Sequence, residues 1–230
     1  MRYLQKLFLP FCGPMPNNKE TTKNWVREYI EAIAIALVLA LVIRTFVVQA
    51  FKIPSGSMEN TLLVGDHILV NKFSYGIHLP NEVLFTSVKL FPDIRLFPKT
   101  PERGDIVVFK YPKDEQRDFI KRVIGLPGDK LEIRQQKVFI NDEPLDDSAF
   151  AIHHDPPVRE PLYPRDDFGP LRVPEGNLFV MGDNRENSQD SRYWGFLNIN
   201  NIRGKALVIY WSWDSEDSSV RVKRLGKILR

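Results

Sequence analysis

Three short stretches in the middle of the chain decide its fold: DIVVFKY at residues 105–111, FIKRVI at 119–124 and KLEIR at 130–134. Each is rich in β-branched or aromatic side chains and is bounded by Gly, Pro, Asp or Gln, as strands usually are. Four more stretches share the pattern: HILVNKF at 67–73, KVFIND at 137–142, NLFVM at 177–181 and ALVIYWSW at 206–213. The sequence therefore predicts a mainly β domain, an antiparallel sheet or barrel.

Turn signals and long connections separate these strands. Gly-Asp pairs recur at 65–66, 104–105, 128–129 and 182–183, where a turn leads toward a strand. Two connections, about 74–103 and 143–174, are rich in Pro and acidic residues. Loops of this length are uncommon unless they serve a function.

A single long apolar run precedes the β region. It reads AIAIALVLALVI at 32–43 and continues past Arg44 as TFVVQAF. Residues 32–48 would extend roughly 25 Å as a helix, close to the roughly 30 Å of a hydrocarbon core. Lysines and arginines cluster before the run, and the positive-inside rule then places the N-terminus in the cytoplasm. We expect a cytoplasmic segment at 1–28, one transmembrane helix at 29–50 and an extracytoplasmic β domain at 51–230.

Two other interpretations of the run stay open. Its 12 uninterrupted apolar residues would also suit a buried core helix. VQA at 48–50 resembles the small-x-small site of a cleaved signal peptide, although acidic residues precede the run.

Composition excludes several classes of protein. The net charge of +3 over 230 residues is too small and too evenly spread for a nucleic-acid surface. Cys12 is the single cysteine, so no disulfide framework is expected. The four histidines show no metal-ligand spacing, and we predict no metal or organic cofactor. The basic tail RVKRLGKILR is either a solvated end or a segment lying on anionic lipid.

The stretch FKIPSGSM, residues 51–58, holds the candidate chemistry. The chain has no G-x-S-x-G, S-x-x-K or phosphate-binding glycine loop. In the turn, Pro54 fixes one dihedral angle, Gly56 permits close backbone approach, and Ser57 follows with its amide free. Such a turn suits a nucleophile, although on residue types alone an ordinary loop is the commoner outcome.

Four blocks, taken in order, give the chain a family resemblance. PSGSMENTLLVGDHILVNKFSYG, RGDIVVFKYP, DFIKRVIGLPGDKLEI and MGDNRENSQDSRYWG resemble the signature blocks of bacterial type I signal peptidases, the leader peptidases. The resemblance covers the chain from the apolar run to about residue 213 and departs little, for example with Glu186 where Asp is common.

The resemblance implies a serine-lysine protease of the fold shared with LexA-like proteins. Ser57 would be the nucleophile and Lys121 the general base, with an oxyanion hole from the Ser57 amide and the Ser55 hydroxyl. Ser188 would orient the lysine. Structural support would come from two further pairs of charged residues: Arg122, Asp183, Asp190 and Arg192.

The residues around Lys121 agree with this role. In a strand, Phe119, Lys121 and Val123 share one face, which gives the lysine apolar neighbours. A lysine of ordinary pKa, near 10.4, is neutral in only about one molecule in two or three thousand at pH 7. Desolvation lowers the pKa by several units, which makes the amine a usable base.

The resemblance also implies a substrate and a location. Signal-peptide-bearing preproteins, delivered by the secretion machinery, would be cut after small residues in an A-x-A pattern. The expected substrate-binding side chains are Phe51, Ile53, Pro54, Met58, Leu62, Phe119 and Ile120. The enzyme would be a monomer of the bacterial inner membrane, in contact with the lipid bilayer and with no nucleic acid.

Two alternatives from other classes remain. A LexA-like self-cleaving protein uses a similar fold but carries a DNA-binding segment in place of the apolar run. A membrane-tethered β domain without enzymatic activity would share the architecture and lack the dyad.

Overall fold

The structure is a computed structural model that describes residues 18–78, 95–155 and 165–229. The chain divides into two compact units after Val42. In the first unit the described residues form one helix, α1 (Asn18–Val42), whose apolar side chains are largely exposed. Within the described part of the chain, no helix combines the length and the apolar character needed to cross a membrane.

The second unit is built from fourteen described strands and one short helix, α2 (Ser191–Trp194). The strands are β1 (Val48–Lys52), β2 (Asp66–Asn71), β3 (Ile77–His78), β4 (Arg95–Leu96), β5 (Ile106–Tyr111), β6 (Asp114–Gly125), β7 (Lys130–Arg134), β8 (Lys137–Ile140), β9 (Glu143–Pro144), β10 (Phe168–Arg172), β11 (Asn177–Met181), β12 (Leu197–Asn198), β13 (Ile202–Asp214) and β14 (Ser219–Val220).

All described strand pairs are antiparallel, as the sequence predicts. The large sheet has the order β1-β2-β13-β5-β6-β11-β12, and β14 pairs with β13. A second sheet has the order β10-β7-β8-β9, and β3 pairs with β4. The seven predicted strands correspond to β2, β5, β6, β7, β8, β11 and β13, so their presence is confirmed.

The strand β1 differs from the sequence expectation. A π-helical turn, Ile43–Val47, leads directly into it, and Val48 pairs with Asn71 while Ala50 pairs with Leu69 of β2. Residues 48–50, which the sequence analysis assigns to the membrane span, therefore belong to the sheet. Their β-branched and alternating side chains suit a strand as well as they suit an apolar helix.

Strand β5 is buried on both faces and separates two parts of the core. Ile106 and Val108 pack against the turn that carries Ser57, in a cluster that includes Ile53. Val107 and Phe109 point to the opposite face and pack against Val123, Leu178 and Val180. A third cluster joins β6 and β11 to the small sheet. The centre of the large sheet, at β5 and the last five residues of β6, is thus covered on both sides, while β13 leaves Leu207, Tyr210 and Trp211 partly exposed.

Long-range pairing shapes the chain ends and the two long connections. The C-terminal tail packs on the domain, because Arg224 pairs with buried Asp66 at 2.5 Å and Leu229 is buried in the core. Lys223 and Lys227 of the tail are exposed.

The connections at 74–103 and 143–174 contain β3, β4, β9 and β10, which the sequence analysis missed. Residues 79–94 and 156–164 of these connections lie outside the described residues.

Candidate active site

Residues 53–65, which we call the serine turn, follow β1, and backbone hydrogen bonds hold the turn at its start. Ile53 donates its amide to Asp66 O at 2.8 Å, and Gly65 donates to Ile53 O at 3.0 Å. A single 3₁₀ turn, Gly56–Met58, comes next, with Ser55 at its N-cap position. The turn leaves Ser57 only 8% exposed, and the Ser57 carbonyl accepts the amide of Asn184 at 3.2 Å. The predicted nucleophile is therefore held by backbone contacts on both sides.

Strand β6 brings Lys121 to this serine across 64 residues of sequence. Lys121 Nζ donates to Ser57 Oγ at 2.7 Å and to the carbonyl of Ile120 at 2.9 Å. The lysine is 3% exposed, and its Nζ lies 5.5 Å from the centre of the Phe119 ring. Phe119 and Val123 pack in one cluster and Ile120 in another, so the predicted alternation of faces along β6 is confirmed.

Burial controls the charge of this amine. Desolvation lowers the pKa of Lys121 to about 8, although the nearby Asp190 and Asp183 carboxylates oppose the shift. The Arg192 guanidinium acts in the same direction as burial. Near pH 8 the buried amine is therefore divided between its charged and neutral forms, which suits proton transfer.

Arg122, the next residue, forms a buried ion pair with Asp183. Its Nε and Nη2 donate to the two carboxylate oxygens at 2.8 and 2.7 Å, and Nη1 donates to the carbonyl of Gly104 at 2.8 Å. Thr61 completes the group, because its hydroxyl donates to Asp183 at 2.5 Å and accepts from Arg122 at 3.2 Å. This set joins the serine turn, β6 and the segment after β11.

Asp190 and Arg192 form a second buried ion pair. Arg192 Nε and Nη2 each donate to Asp190 at 2.8 Å, and Gly182 donates its amide to the same carboxylate at 3.1 Å. Burial alone would raise the pKa of Asp190, but the bonds and charge of Arg192 outweigh it and lower the pKa, with a smaller contribution from the nearby Ser188 hydroxyl. The carboxylate stays ionised beside Lys121.

Ser188 and Ser55 both line the cleft, and their hydroxyl groups make fewer hydrogen bonds than the two ion pairs do. The Ser188 hydroxyl is buried and makes no well-aligned hydrogen bond to a described residue, so its role in orienting Lys121 stays a prediction. Ser55 Oγ lies 3.5 Å from Ser57 Oγ. Gly182 packs tightly here, since a Cβ atom on it would lie 2.3 Å from both Ser188 Oγ and Ser57 O.

The cleft beside the serine and lysine has a volume of about 260 Å³. Its lining residues are Ser55, Ser57, Phe119, Lys121, Glu186, Asn187, Ser188, Gln189 and Tyr193.

The predicted substrate-binding residues divide into two groups. Phe119 lines the cleft, Pro54 is exposed, and Phe51 and Ile120 are partly buried against the core. Ile53 is 2% exposed and Met58 and Leu62 are 0% exposed, so in this conformation these three form the packed floor beneath the serine turn.

Several site residues were missed by the sequence analysis: Thr61, Gly182, Asn184, Asn187, Gln189 and Tyr193. They make their contacts across the fold, and although all six lie in the blocks that carry the family resemblance, their residue types alone do not mark them as site residues. Among residues 18–78, 95–155 and 165–229, no three His, Cys, Asp or Glu side chains are grouped to hold a metal ion.

The sequence of the chain also matches known proteins. The sequence model of the family described as "Signal peptidase, peptidase S26" matches residues 26–211. The chain belongs to this family. It is therefore a serine endopeptidase, a hydrolase of peptide bonds.

Bacterial relatives are similar in sequence to this signal peptidase over most of its length. The chain is 40% identical over 215 residues to signal peptidase I of Pseudomonas fluorescens. The aligned region covers 81% of this chain and 72% of the Pseudomonas protein. Signal peptidase I of Rickettsia bellii is 34% identical over 232 residues, covering 87% and 78%. A crystal structure of signal peptidase I from Enterococcus faecalis is 33% identical, covers 46% of this chain and 97% of that one, and has a TM-score of 0.38.

Replacing Lys121 with methionine should stabilise the peptidase in a pH-dependent way. Because one pKa unit corresponds to about 1.4 kcal/mol, holding the protonated amine at a pKa of about 8 in place of 10.5 costs roughly 3 kcal/mol. This cost is present below pH 8 and disappears as pH rises from 8 to 10.5. The free energy of unfolding in detergent, measured at pH 7 and pH 10.5, checks it.

Lys113→Met is the control, because Lys113 is an exposed lysine at the β5–β6 turn. The advantage of Lys121→Met over wild type should shrink at high pH, while Lys113→Met should show no such change. A Lys121→Met advantage that is constant with pH would contradict the buried-amine interpretation.

Proposed function

We propose that this signal peptidase cleaves N-terminal signal peptides from exported preproteins, with Ser57 as the nucleophile and Lys121 as the general base. One observation carries the proposal: the 2.7 Å contact between Lys121 Nζ and Ser57 Oγ, both in buried side chains. A buried lysine of lowered pKa beside a hydroxyl is the arrangement that activates a serine without histidine.

Acyl transfer proceeds through a covalent ester. Neutral Lys121 takes the hydroxyl proton as Ser57 Oγ attacks the scissile carbonyl carbon. The resulting ammonium then protonates the leaving amine as the carbon–nitrogen bond breaks. In the second half, Lys121 accepts a proton from water, the water oxygen attacks the ester, and Ser57 Oγ leaves with that proton restored. No cofactor takes part.

The negative oxygen of each tetrahedral intermediate needs donors. We assign this role to the Ser57 amide and the Ser55 hydroxyl, which belong to two residues that line the same cleft. Preorganised donors of this kind contribute roughly 3 kcal/mol each to the barrier reduction. Ser188, whose buried hydroxyl lines the cleft, is the proposed partner that orients Lys121.

Specificity for small residues in an A-x-A pattern follows from the size of the site. A cleft of about 260 Å³ is small for a peptide segment and leaves little depth for large side chains. Phe51, Ile120 and Phe119 offer partly exposed apolar surface at the cleft or beside the serine turn. Ile53, Met58 and Leu62 fix the floor beneath, and Pro54 restricts the backbone along which an extended substrate would pair.

We also propose that the part of the predicted span that precedes β1, residues 29–47, anchors the enzyme in the bacterial inner membrane. Ile33, Ile35 and Leu37 are each at least 60% exposed in α1, which is apolar surface that lipid would cover. Residues 1–28 would lie in the cytoplasm and the β domain on the outer face, where a monomer would meet preproteins at the bilayer.

Substitution of either dyad residue should abolish processing. Detergent-solubilised wild type, Ser57→Ala and Lys121→Ala are incubated with a preprotein carrying alanine at the two specificity positions. Loss of the nucleophile or base should lower kcat at least about a thousandfold, as in other dyads and triads. Gel quantification of the mature product measures it. Cleavage that survives either substitution would refute the mechanism.

The rate should rise with pH through the titration of Lys121. Only the neutral amine accepts the serine proton, so with a pKa of about 8 kcat/KM should fall about tenfold for each pH unit below that value. Steady-state cleavage of a peptide substrate between pH 6 and pH 10 gives the profile. A flat profile over this range would show that another group serves as base.

Membrane attachment should depend on the apolar run. Wild type should remain with membranes after alkaline extraction. The double variant Ala36→Asp and Leu39→Asp should be released, because each central aspartate opposes insertion by about 3 kcal/mol. A matched control places two aspartates at exposed positions Gln116 and Ser218. Release of wild type, or retention of the run variant, would contradict the anchor.

A further inference from the structure

Residues 147–155, which we call the strap, lie beside the candidate active site and contact residues next to it. They lie between β9 and the segment 156–164, which is outside the described residues, and no residue of the strap belongs to the predicted site. The strap nevertheless contacts the serine turn, β6 and the segment after β11.

Phe150 makes the contacts to the first two parts. Its ring lies 4.2 Å from the guanidinium carbon of Arg122, the residue next to Lys121. Its carbonyl accepts from Asn60 Nδ2 at 3.1 Å, three residues after Ser57. Movement of the strap would therefore reach both members of the dyad through their chain neighbours.

The contact to the segment after β11 resembles a short piece of sheet. Ile152 pairs in parallel with Asn184, donating to Asp183 O at 2.9 Å and accepting from Arg185 N at 3.2 Å. Asp147, at the start of the strap, forms an ion pair with buried Arg185 at 2.6 Å.

Glu186 closes this set of contacts at the cleft. Its Oε2 accepts the amide of His154 at 2.6 Å, and its Oε1 accepts the amide of Asp155 at 3.1 Å. Two successive amides directed at one carboxylate form charge-assisted bonds, which are stronger than neutral ones. The side chain is 9% exposed and both its oxygens accept amides of the strap, and Glu186 is also one of the residues that line the cleft.

We propose that Glu186 is a positioning residue, which fixes the segment carrying Ser188 and Asp190 against the strap and so keeps the Lys121 side of the cleft closed to water. This rests on the proposed function of the Ser57–Lys121 dyad. Glu186 is followed directly by Asn187, Ser188 and Gln189, all of which line the cleft. Without the carboxylate, the amides of residues 154 and 155 lose their acceptor, the segment after Arg185 loosens although the Ile152 pairing persists, and water gains access to Lys121.

A change in water access has a specific signature. The charged groups that act on Lys121 are Asp183, Asp190 and Arg192, and Glu186 itself faces His153 and Arg165. Burial is the main cause that lowers the pKa of Lys121, so a wetter site raises it. Burial and Arg185 lower the pKa of His153 from 6.5, which keeps its titration away from that of Lys121.

The test compares full-length wild type, Glu186→Ala and Glu186→Gln in detergent, with the same preprotein and a pH profile for each. Glu186→Ala should lower kcat about tenfold, with KM changed less than about threefold. Its profile should shift upward by about half a pH unit or more. Glu186→Gln keeps the shape and one acceptor oxygen, so it should shift in the same direction by less.

Two controls remove side chains that do not hold the strap. Glu175→Ala removes an exposed carboxylate from the turn before β11, and His154→Ala keeps the amide that Glu186 binds. Both should behave as wild type. Hydrogen exchange gives a second readout: the amides of residues 154 and 155 should exchange faster in Glu186→Ala, while the amide of Ile152 should stay protected.

The outcomes separate this proposal from the dyad. Lower activity with an unmoved pH profile, a rise confined to KM, or unchanged activity in Glu186→Ala would overturn the positioning role. If Glu186→Ala does not fold, an unshifted Glu186→Gln profile overturns it equally. Cleavage by Ser57→Ala or Lys121→Ala would instead overturn the proposed mechanism, whatever the Glu186 variants do.

Discussion

The site depends on one constraint: the Lys121 amine must be kept from water while it touches Ser57 Oγ. Two carboxylates, Asp183 and Asp190, lie close enough to favour the ammonium form and so oppose the lowered pKa. Each is bound through both oxygens by an arginine, Arg122 or Arg192. The ion pairs therefore do more than hold the loops. Arg192 also offsets part of the effect of these carboxylates, since its guanidinium acts to lower the pKa of Lys121.

The antiparallel sheet explains how one strand supplies both the amine and its charge control. Side chains alternate along β6, so Lys121 and Arg122 point to opposite faces of the same strand. Both faces are covered, with Phe119 and Val123 on one side and Phe150 over the Arg122 guanidinium. An edge strand or a sheet with one wet face would leave one of the two in water. The central place of β6 between β5 and β11 avoids this.

The sequence predicts those parts of the fold that local patterns encode. Seven strands follow from alternating β-branched residues between turn signals, and the alternation in FIKRVI predicts which side chains surround Lys121. Strand β1 was missed because VVQAF directly continues an apolar run and suits either structure. Thr61 could not be predicted as a partner of Asp183, since 122 residues separate them and a threonine in a turn carries no signal of a buried ion pair. Only the tertiary structure defines such contacts.

The difference between local sequence patterns and tertiary contacts also explains why Met58 and Leu62 are buried in the core although the sequence predicts that they bind substrate. Their closeness to Ser57 in sequence suggests contact with substrate, but the 3₁₀ turn Gly56–Met58 directs both side chains into the core, with Ile53, Ile68 and Ile106. Backbone hydrogen bonds hold the serine turn at Ile53 and at the Ser57 carbonyl, and the buried side chains beside it add a second constraint on its position. Since a packed core resists displacement by even one methylene, these residues fix Ser57 Oγ relative to Lys121 Nζ without touching the cleft. In the proposed mechanism their contribution is therefore geometric, and it acts through the backbone of the turn.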